Sequence, residues 1–242
     1  MSRFYVPKDS VKEDRIVITG KEAHHILNVL RFSEGDVVSV FDGTGKEYRC
    51  SIRSASRKGI VADILDTRDL SEKDPVTFVL VQAIPKKEMM DYIVEKATEL
   101  GVARIIPVIT ERTIVRPDKA RSASKLKRWM RIAEQASRQC GRPTIPVVDH
   151  PKRFSDAVAL IADQALCLIA HLEEGTRPLK ETLRGFKGKS VIVFIGPERD
   201  FTEGEVRLAL SRGALPVSLG PRVLKSDTAG LAALSILGYE LN

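Results

Sequence analysis

Ser190-Val191-Ile192-Val193-Phe194-Ile195 runs straight into Gly196-Pro197-Glu198. So short an apolar, largely β-branched run, closed by Gly-Pro, reads as a strand buried on both faces, as in the middle of a parallel sheet. Gly196-Pro197-Glu198 then lies at the carboxyl end of that strand, where open α/β sheets bind ligands, and Gly196 lets a ligand approach the backbone. A second stretch, Leu219-Gly220-Pro221-Arg222-Val223-Leu224, repeats the arrangement. It follows the run from Pro216 to Leu219 and precedes a helix whose small and apolar residues are Ala229, Ala232, Ala233 and Ile236. Two ordinary strand-to-helix turns fit the local pattern equally well. Neither stretch contains GxGxxG or GxxxxGK[ST], so a dinucleotide site and a P-loop are unsupported.

Outward from there, the apolar runs Val76 to Ile84, Ile105 to Ile109 and Leu166 to Ala170 alternate with helical patterns, which predicts an α/β domain over 75–242 with a largely parallel sheet. A helix from Lys87 to Leu100 places Met90, Ile93, Val94, Ala97 and Leu100 on one face and ends at Gly101. A second, from Ser122 to Cys140, is predicted to bury Leu126, Trp129, Met130, Ala133 and Ala136. Its opposite face carries Arg128, Arg131, Gln135 and Arg138, with Arg142 just beyond. The first 70 residues read differently, as short strands from Ile16 to Thr19, Val37 to Phe41, Glu47 to Arg53 and Gly59 to Leu65. Tyr48, Cys50 and Ile52 alternate with Arg49, Ser51 and Arg53, the period of a half-buried strand, and Asp42-Gly43-Thr44-Gly45 has the residues of a hairpin turn. A small β-barrel over 1–70 is the economical reading, and the polar stretch Asp66 to Asp74 reads as the linker at its end.

The net charge is +7, and it is concentrated. Between Glu111 and Arg142 stand ten basic residues (Arg112, Arg116, Lys119, Arg121, Lys125, Lys127, Arg128, Arg131, Arg138, Arg142) against three acidic ones (Glu111, Asp118, Glu134), an excess equal to that of the whole chain. Such a segment favours a polyanionic partner, nucleic acid first. Cys50, Cys140 and Cys167 are too far apart for a CxxC-type metal site, and their odd number argues against a disulfide framework. The N-terminus lacks the apolar run of a signal peptide, and no stretch approaches a membrane span, so a soluble cytoplasmic protein without a metal is expected.

Several segments, in this order and spacing, carry a resemblance that extends nearly end to end: His24 to Arg31 (HHILNVLR), Gln82 to Asp91 (QAIPKKEMMD), Lys96 to Val102 (KATELGV), Glu111-Arg112-Thr113, the Arg128-Trp129 helix ending Gln139-Cys140-Gly141-Arg142, and both glycine-bearing stretches. The chain resembles the RsmE family of the SPOUT superfamily, bacterial uracil-N3 methyltransferases of 16S ribosomal RNA. The resemblance implies an α/β SPOUT domain with a C-terminal trefoil knot, preceded by a small PUA-like β-barrel that binds RNA. General topology rules would not predict a knot. It implies S-adenosylmethionine as cofactor, bound in a bent form, a homodimer as the working unit, and 16S ribosomal RNA or the small ribosomal subunit as partner. The matching cofactor positions are Ala170, His171, Ile195, Gly196, Pro197, Glu198, Leu219, Gly220, Val223, Leu224 and Thr228. Two departures stand out. Where the family reads Gly-Pro-Glu-Gly-Gly-Phe this chain has Gly196-Pro197-Glu198-Arg199-Asp200-Phe201, and Leu-Arg-Thr-Glu-Thr-Ala appears as Leu224-Lys225-Ser226-Asp227-Thr228-Ala229. A side chain at a position that needs positive φ costs on the order of 1 kcal/mol, least for Asp or Asn.

Methylating uracil N3 requires in-line attack on a sulfonium methyl by a nitrogen that loses its imide proton, so positioning supplies much of the rate and a base or charge stabiliser the rest. Arg222 is the candidate to stabilise the developing anion, with a phosphate contact as its alternative, and Glu198 the candidate proton acceptor, with a loop-stabilising hydrogen bond as its alternative. Candidate RNA contacts are Arg3, His24, Arg31, Lys86, Lys87, Arg112, Arg128, Arg131, Arg138 and Arg142. Two other readings stay open: an RNA-binding or assembly protein that kept the fold without methyl transfer, and a methyltransferase of the same superfamily acting on transfer RNA.

Overall fold

The structure, a computed structural model, describes residues 3–56, 58–70, 76–114, 116–161, 165–171 and 176–242. It divides into two compact units, Met1–Lys73 with Ser137–Ile145, and Asp74–Ala136 with Pro146–Asn242.

The first unit contains β1 (Arg3–Tyr5), β2 (Arg15–Ile18), α1 (Gly20–His24) running on as a π-helical turn His25–Val29, β3 (Val37–Phe41), β4 (Lys46–Ser56) and β5 (Gly59–Asp69). They form one sheet in the order β1-β3-β4-β5-β2, with β1 parallel to β3 and the other pairs antiparallel. The alternation expected in β4 is present. Tyr48, Cys50 and Ile52 join Phe4, Ile16, Ile18, Ile26, Val38, Val40 and Ile60 in the core, while Arg49 and Arg53 are exposed. The β3–β4 hairpin turns on Gly43 and Gly45 at φ 78 and 108. Asp42 braces it by accepting from the Thr44 N–H and hydroxyl at 2.8 Å each and from the Tyr48 hydroxyl at 3.0 Å. Burial and that bond to Asp42 push the Tyr48 phenol up to about 12.

Two expectations change here. The stretch from Asp66 is not linker as far as Asp69: it extends β5, pairing with Lys46 to Arg49. A ladder satisfies backbone groups whatever the side chains, so a polar stretch with nothing to bury can still be strand. The rest of that stretch, 71–74, lies outside the described residues. The first unit also takes in a segment from far along the chain, since Ile145 N–H donates to Gly43 O at 3.0 Å and Gly45 N–H to Pro143 O at 3.2 Å.

The second unit contains β6 (Thr77–Ala83), α2 (Met89–Glu99), β7 (Arg104–Ile109), most of α3 (Lys119–Cys140), β8 (Val147–Val148), β9 (Lys152–Arg153), α4 (Phe154–Val158), β10 (Leu166–Ala170), β11 (Arg177–Pro178), α5 (Leu179–Thr182), β12 (Ser190–Ile195), α6 (Glu203–Ser211), β13 (Leu215–Ser218) and α7 (Ser226–Leu241). Among the described residues the sheet runs β11-β13-β10-β12-β6-β7-β8, with β9 also on β7, and every pair is parallel. One face packs Val81, Ala83, Ile106, Ile169 and Phe194 against Phe154 and Ala157 of α4 and Val206 and Ala209 of α6. On β6 the alternate residues Leu80 and Gln82 face Gly230 of α7, and α7 also packs on β12 and α2. Both faces of β12 are therefore covered, which is why it reads as an unbroken apolar run.

Helix α2 begins at Met89 rather than Lys87, because Lys87 sits at φ 57, outside the right-handed helical region; Gly101 at φ 86 closes it as expected. In α3 the buried stripe is Trp129, Ala133 and Ala136. Met130 falls off that stripe and is 52% exposed, contrary to the expected core face. Burial pushes the Cys50 and Cys167 thiols up to about 12, leaving Cys140 as the exposed thiol. No helix of the described residues is long and apolar enough to cross a membrane.

The β4–β5 hairpin offers a stringent check on the first unit. Gly59 lies at φ 145, and an added Cβ would stand 2.5 Å from the Ile18 carbonyl oxygen. Gly59→Ala is expected to destabilise this unit by roughly 2–5 kcal/mol, read as a lower first transition in scanning calorimetry.

Candidate active site

Three strand ends meet at one cavity of about 410 Å³. From β10 come Ala170 and His171; from β12 Ile195, Gly196, Pro197, Glu198 and Asp200; from β13 the segment Val217 to Ser226. Parallel strands all deliver their carboxyl ends to the same edge, so residues far apart in sequence converge there without further device.

The loop after β12 is fastened at almost every residue. Gly196 is closely packed: a Cβ there would stand 3.1 Å from Asp200 Oδ1 and 3.3 Å from the Phe201 ring, so a neighbour would have to give way slightly. Its carbonyl accepts a hydrogen bond from the Ser226 hydroxyl, which in turn accepts from Gln82 Nε2 at 2.9 Å. Gln82 is fully buried and Ser226 nearly so, which makes this a dry polar network linking β6, the loop and the start of α7. Glu198 Oε1 accepts from the Lys86 backbone N–H at 2.8 Å, the loop-stabilising role held open above. Arg112 Nη1 donates to the carbonyls of Arg199 at 2.6 Å and Phe201 at 3.1 Å. Phe201 drops into the core against Phe154, and Thr202 with Glu205 forms a capping box at the head of α6. Glu205 also accepts from the Glu111 N–H at 2.8 Å. The Glu111-Arg112-Thr113 motif thus works as a brace for this loop.

Of the two departures from glycine, Arg199 takes a negative φ while Asp200 sits at φ 61. Its Oδ1 accepts from the Phe201 N–H at 2.8 Å, its own N–H donates to Pro197 O at 3.0 Å, and its Oδ2 lies 2.8 Å from His171 Nδ1. Those contacts hold the left-handed backbone in place. The β13 loop is held more lightly. The Gly220 N–H donates to Ser218 Oγ at 3.3 Å, Gly220 lies at φ 130, and Arg222 and Val223 are exposed.

Every cofactor position expected from the sequence lines the cavity except Thr228. Thr228 is exposed on the first turn of α7, while its neighbours Ser226 and Ala229 face inward, as the turn angle of a helix requires. Thr176, Asp200, Val217, Ser218, Pro221, Lys225, Ser226 and Ala229 line the cavity without having been singled out as contacts. Of these, Asp200, Lys225 and Ser226 carried a sequence signal, as departures from the related pattern. Arg222 lines the cavity beside them.

The arginines expected to face RNA divide into two sets. Arg128 pairs with Glu88 and Asp91, Arg138 with Glu22, and Arg3 with Glu47 at 2.7 Å while also donating to Gly141 O. Arg142 donates to the Thr144 hydroxyl, and Arg112 braces the loop as described. These guanidinium groups are committed within the fold, and acidic partners distant in sequence are the reason the stripe reads as unopposed charge. His24, Arg31, Lys86, Lys87 and Arg131 are exposed. No group of three metal-ligating side chains occurs among the described residues.

With this geometry in hand, comparison with known proteins is specific. Residues 72–238 match the RNA methyltransferase domain and residues 18–65 the RNA methyltransferase PUA domain. The chain belongs to this RNA methyltransferase family. A ribosomal RNA small subunit methyltransferase E of Synechocystis is 32% identical, over 96% of this chain and 76% of the relative. A solved putative methyltransferase from Legionella pneumophila, in complex with the bound cofactor S-adenosylmethionine, is 34% identical with a TM-score of 0.85, covering 98% of this chain and 96% of that one. Ribosomal RNA small subunit methyltransferase E from Neisseria gonorrhoeae, bound to S-adenosylmethionine, is 30% identical with the same TM-score of 0.85, covering 99% and 97%. The N-terminal unit of this RNA methyltransferase is accordingly PUA-like and its second unit is the methyltransferase domain.

The buried network under the β12 loop has a direct readout. Ser226→Ala removes the hydroxyl that ties Gly196 to Gln82 and is expected to cost about 1–3 kcal/mol, whereas Ser226→Thr keeps it and is expected to cost well under about 1 kcal/mol. Urea unfolding followed by fluorescence of Trp129, the single tryptophan, reports on this unit.

Proposed function

We propose that the chain methylates N3 of a specific uridine in 16S ribosomal RNA, using S-adenosylmethionine held in the cavity at the ends of β10, β12 and β13, and that it works as a homodimer in the cytoplasm. The observation that carries this is the cavity itself, built on a fold shared with S-adenosylmethionine-bound relatives at 30–34% identity. Its chemistry fits the cofactor. Ile195, Val217, Leu219 and Leu224 give apolar walls for an adenine ring, and backbone groups around Gly196 and Gly220 supply polar partners.

The cofactor supplies an electrophilic sulfonium methyl; this chain supplies position and charge. The tightly fastened β12 loop gives a fixed wall, and a preorganised wall is what an in-line transfer needs. Arg222, exposed at the cavity on the looser β13 loop, is placed to meet the O2 or O4 that gains negative charge as N3 loses its proton. Glu198 anchors the loop through one oxygen; its second carboxylate oxygen is not used by that bond and is the candidate proton acceptor. N3 is blocked in a Watson–Crick pair, so the uridine enters unpaired or extruded. His24 and Arg31 in the PUA-like unit, and Lys86, Lys87 and Arg131 in the methyltransferase unit, are the exposed basic groups offered to RNA phosphates.

A knotted C-terminus is supported by the chain path. β13 lies on the far side of β10 from β12, yet α7 returns to pack on β6, β12 and α2. A closed barrel in the N-terminal unit is supported by its match to the PUA domain. Homodimer formation is supported by apolar exposure on packed helices, with Tyr92 on α2 and Tyr239 on α7 46% and 88% exposed.

Transfer of radiolabelled methyl to unmodified small subunits, free 16S ribosomal RNA and transfer RNA tests the reading. Label at uridine N3 in ribosomal substrates is expected, and label confined to transfer RNA would overturn it. Arg222→Ala is expected to slow single-turnover methyl transfer by about 10²–10³. A matching loss of RNA affinity with intact chemistry would make Arg222 a phosphate contact instead.

A further inference from the structure

We infer that Asp200 makes the cavity discriminate between a cationic methyl donor and its neutral demethylated product, an inference that rests on the cofactor reading above. A sulfonium carries a positive charge that the thioether left after transfer does not, while the rest of the molecule is unchanged. A carboxylate in the wall therefore attracts one and is indifferent to the other.

Three observations single out Asp200 from the other ionisable groups that line the cavity, His171, Glu198, Arg222 and Lys225. Glu198, Arg222 and Lys225 are exposed, so water and salt screen them, whereas the Asp200 side chain is 19% exposed. The carboxylate is immobile, since Oδ1 accepts from the Phe201 N–H at 2.8 Å and Oδ2 lies 2.8 Å from His171 Nδ1, itself on a side chain only 10% exposed. It also stands on backbone at φ 61, where glycine would sit without strain. The charge thus lines the cavity on backbone that favours glycine. A sulfonium bound in this cavity would share its wall with that carboxylate, and a charge within about 10 Å, one Debye length, would act on it.

His171 Nδ1 stands beside this carboxylate at 2.8 Å and belongs to the same wall. Methyl transfer then removes the attraction as the product forms, which favours exchange of spent cofactor for fresh.

The test is calorimetric titration of the full chain with S-adenosylmethionine and with S-adenosylhomocysteine, for wild type, Asp200→Asn and Asp200→Gly. Asparagine keeps the acceptor for the Phe201 N–H and tolerates the left-handed backbone, and glycine removes the strain, so misfolding of one variant leaves the other as a control. Wild type is expected to prefer the sulfonium. Both variants are expected to lose about three- to tenfold in affinity for it while product affinity stays within about twofold, and the wild-type preference is expected to shrink as salt is raised. An unchanged ratio, or equal weakening of both ligands, overturns the role of Asp200 while leaving the cofactor reading intact. A wild-type chain that binds neither ligand overturns the cofactor reading, and this inference with it.

Discussion

The hydrogen bond from the Ser226 hydroxyl to the Gly196 carbonyl, backed by Gln82, is the interaction on which the second unit's site depends. It joins the first residue of the last helix to the loop after the central strand and to the neighbouring strand, in a region from which water is excluded. A buried polar group left alone costs its desolvation, so each bond of this network counts. Gln82 donates from Nε2 to both the Ser226 hydroxyl and the Ala83 carbonyl, while its buried Oε1, which a Cβ at Gly230 would approach to 2.7 Å, has no hydrogen-bond partner among the described residues. Gly230 in the middle of α7 is explained by this closeness to β6 rather than by helix propensity.

From that anchor the site divides into a fixed wall and a looser one. The β12 loop is pinned by Ser226, Lys86, Arg112, Phe201 and the α6 capping box, whereas the β13 loop rests on Ser218 and exposes Arg222 and Val223. A methyltransferase gains from both. The donor must be held in one geometry, and the acceptor base must enter and leave. Asp200 belongs to the fixed wall, and it brings a charge to a place where the backbone alone would have been served by glycine.

The basic segment shows how charge in a sequence differs from charge on a molecule. Glu111 to Arg142 holds an excess equal to that of the whole chain, yet Arg128 and Arg138 are met by Glu88, Asp91 and Glu22, all outside that segment. Ion pairs of this partly exposed kind add little stability individually, but they orient the guanidinium groups and reduce the field they present. The exposed remainder, including Arg121, Lys127 and Arg131, is a smaller positive surface than the linear count implied.

What the sequence determined by itself was whatever depends on local pattern. The doubly covered strand β12, the alternation of Tyr48, Cys50 and Ile52, the hairpin at Gly43 and Gly45, and the end of α2 at Gly101 were all legible, because burial and backbone conformation select residue types at short range. Most of the cavity's lining was legible too, through motifs whose order and spacing repeat those of a known family. What only the tertiary structure decided were pairings between distant segments: β5 continuing to Asp69 because Lys46 to Arg49 lie alongside, Ser137–Ile145 joining the first unit, Arg112 bracing a loop rather than standing free, and Asp200 meeting His171. The physical reason is the same in each case. A hydrogen bond or ion pair is made by whichever groups the fold brings within about 3 Å, and residues well separated in sequence leave no periodicity in the chain to announce it.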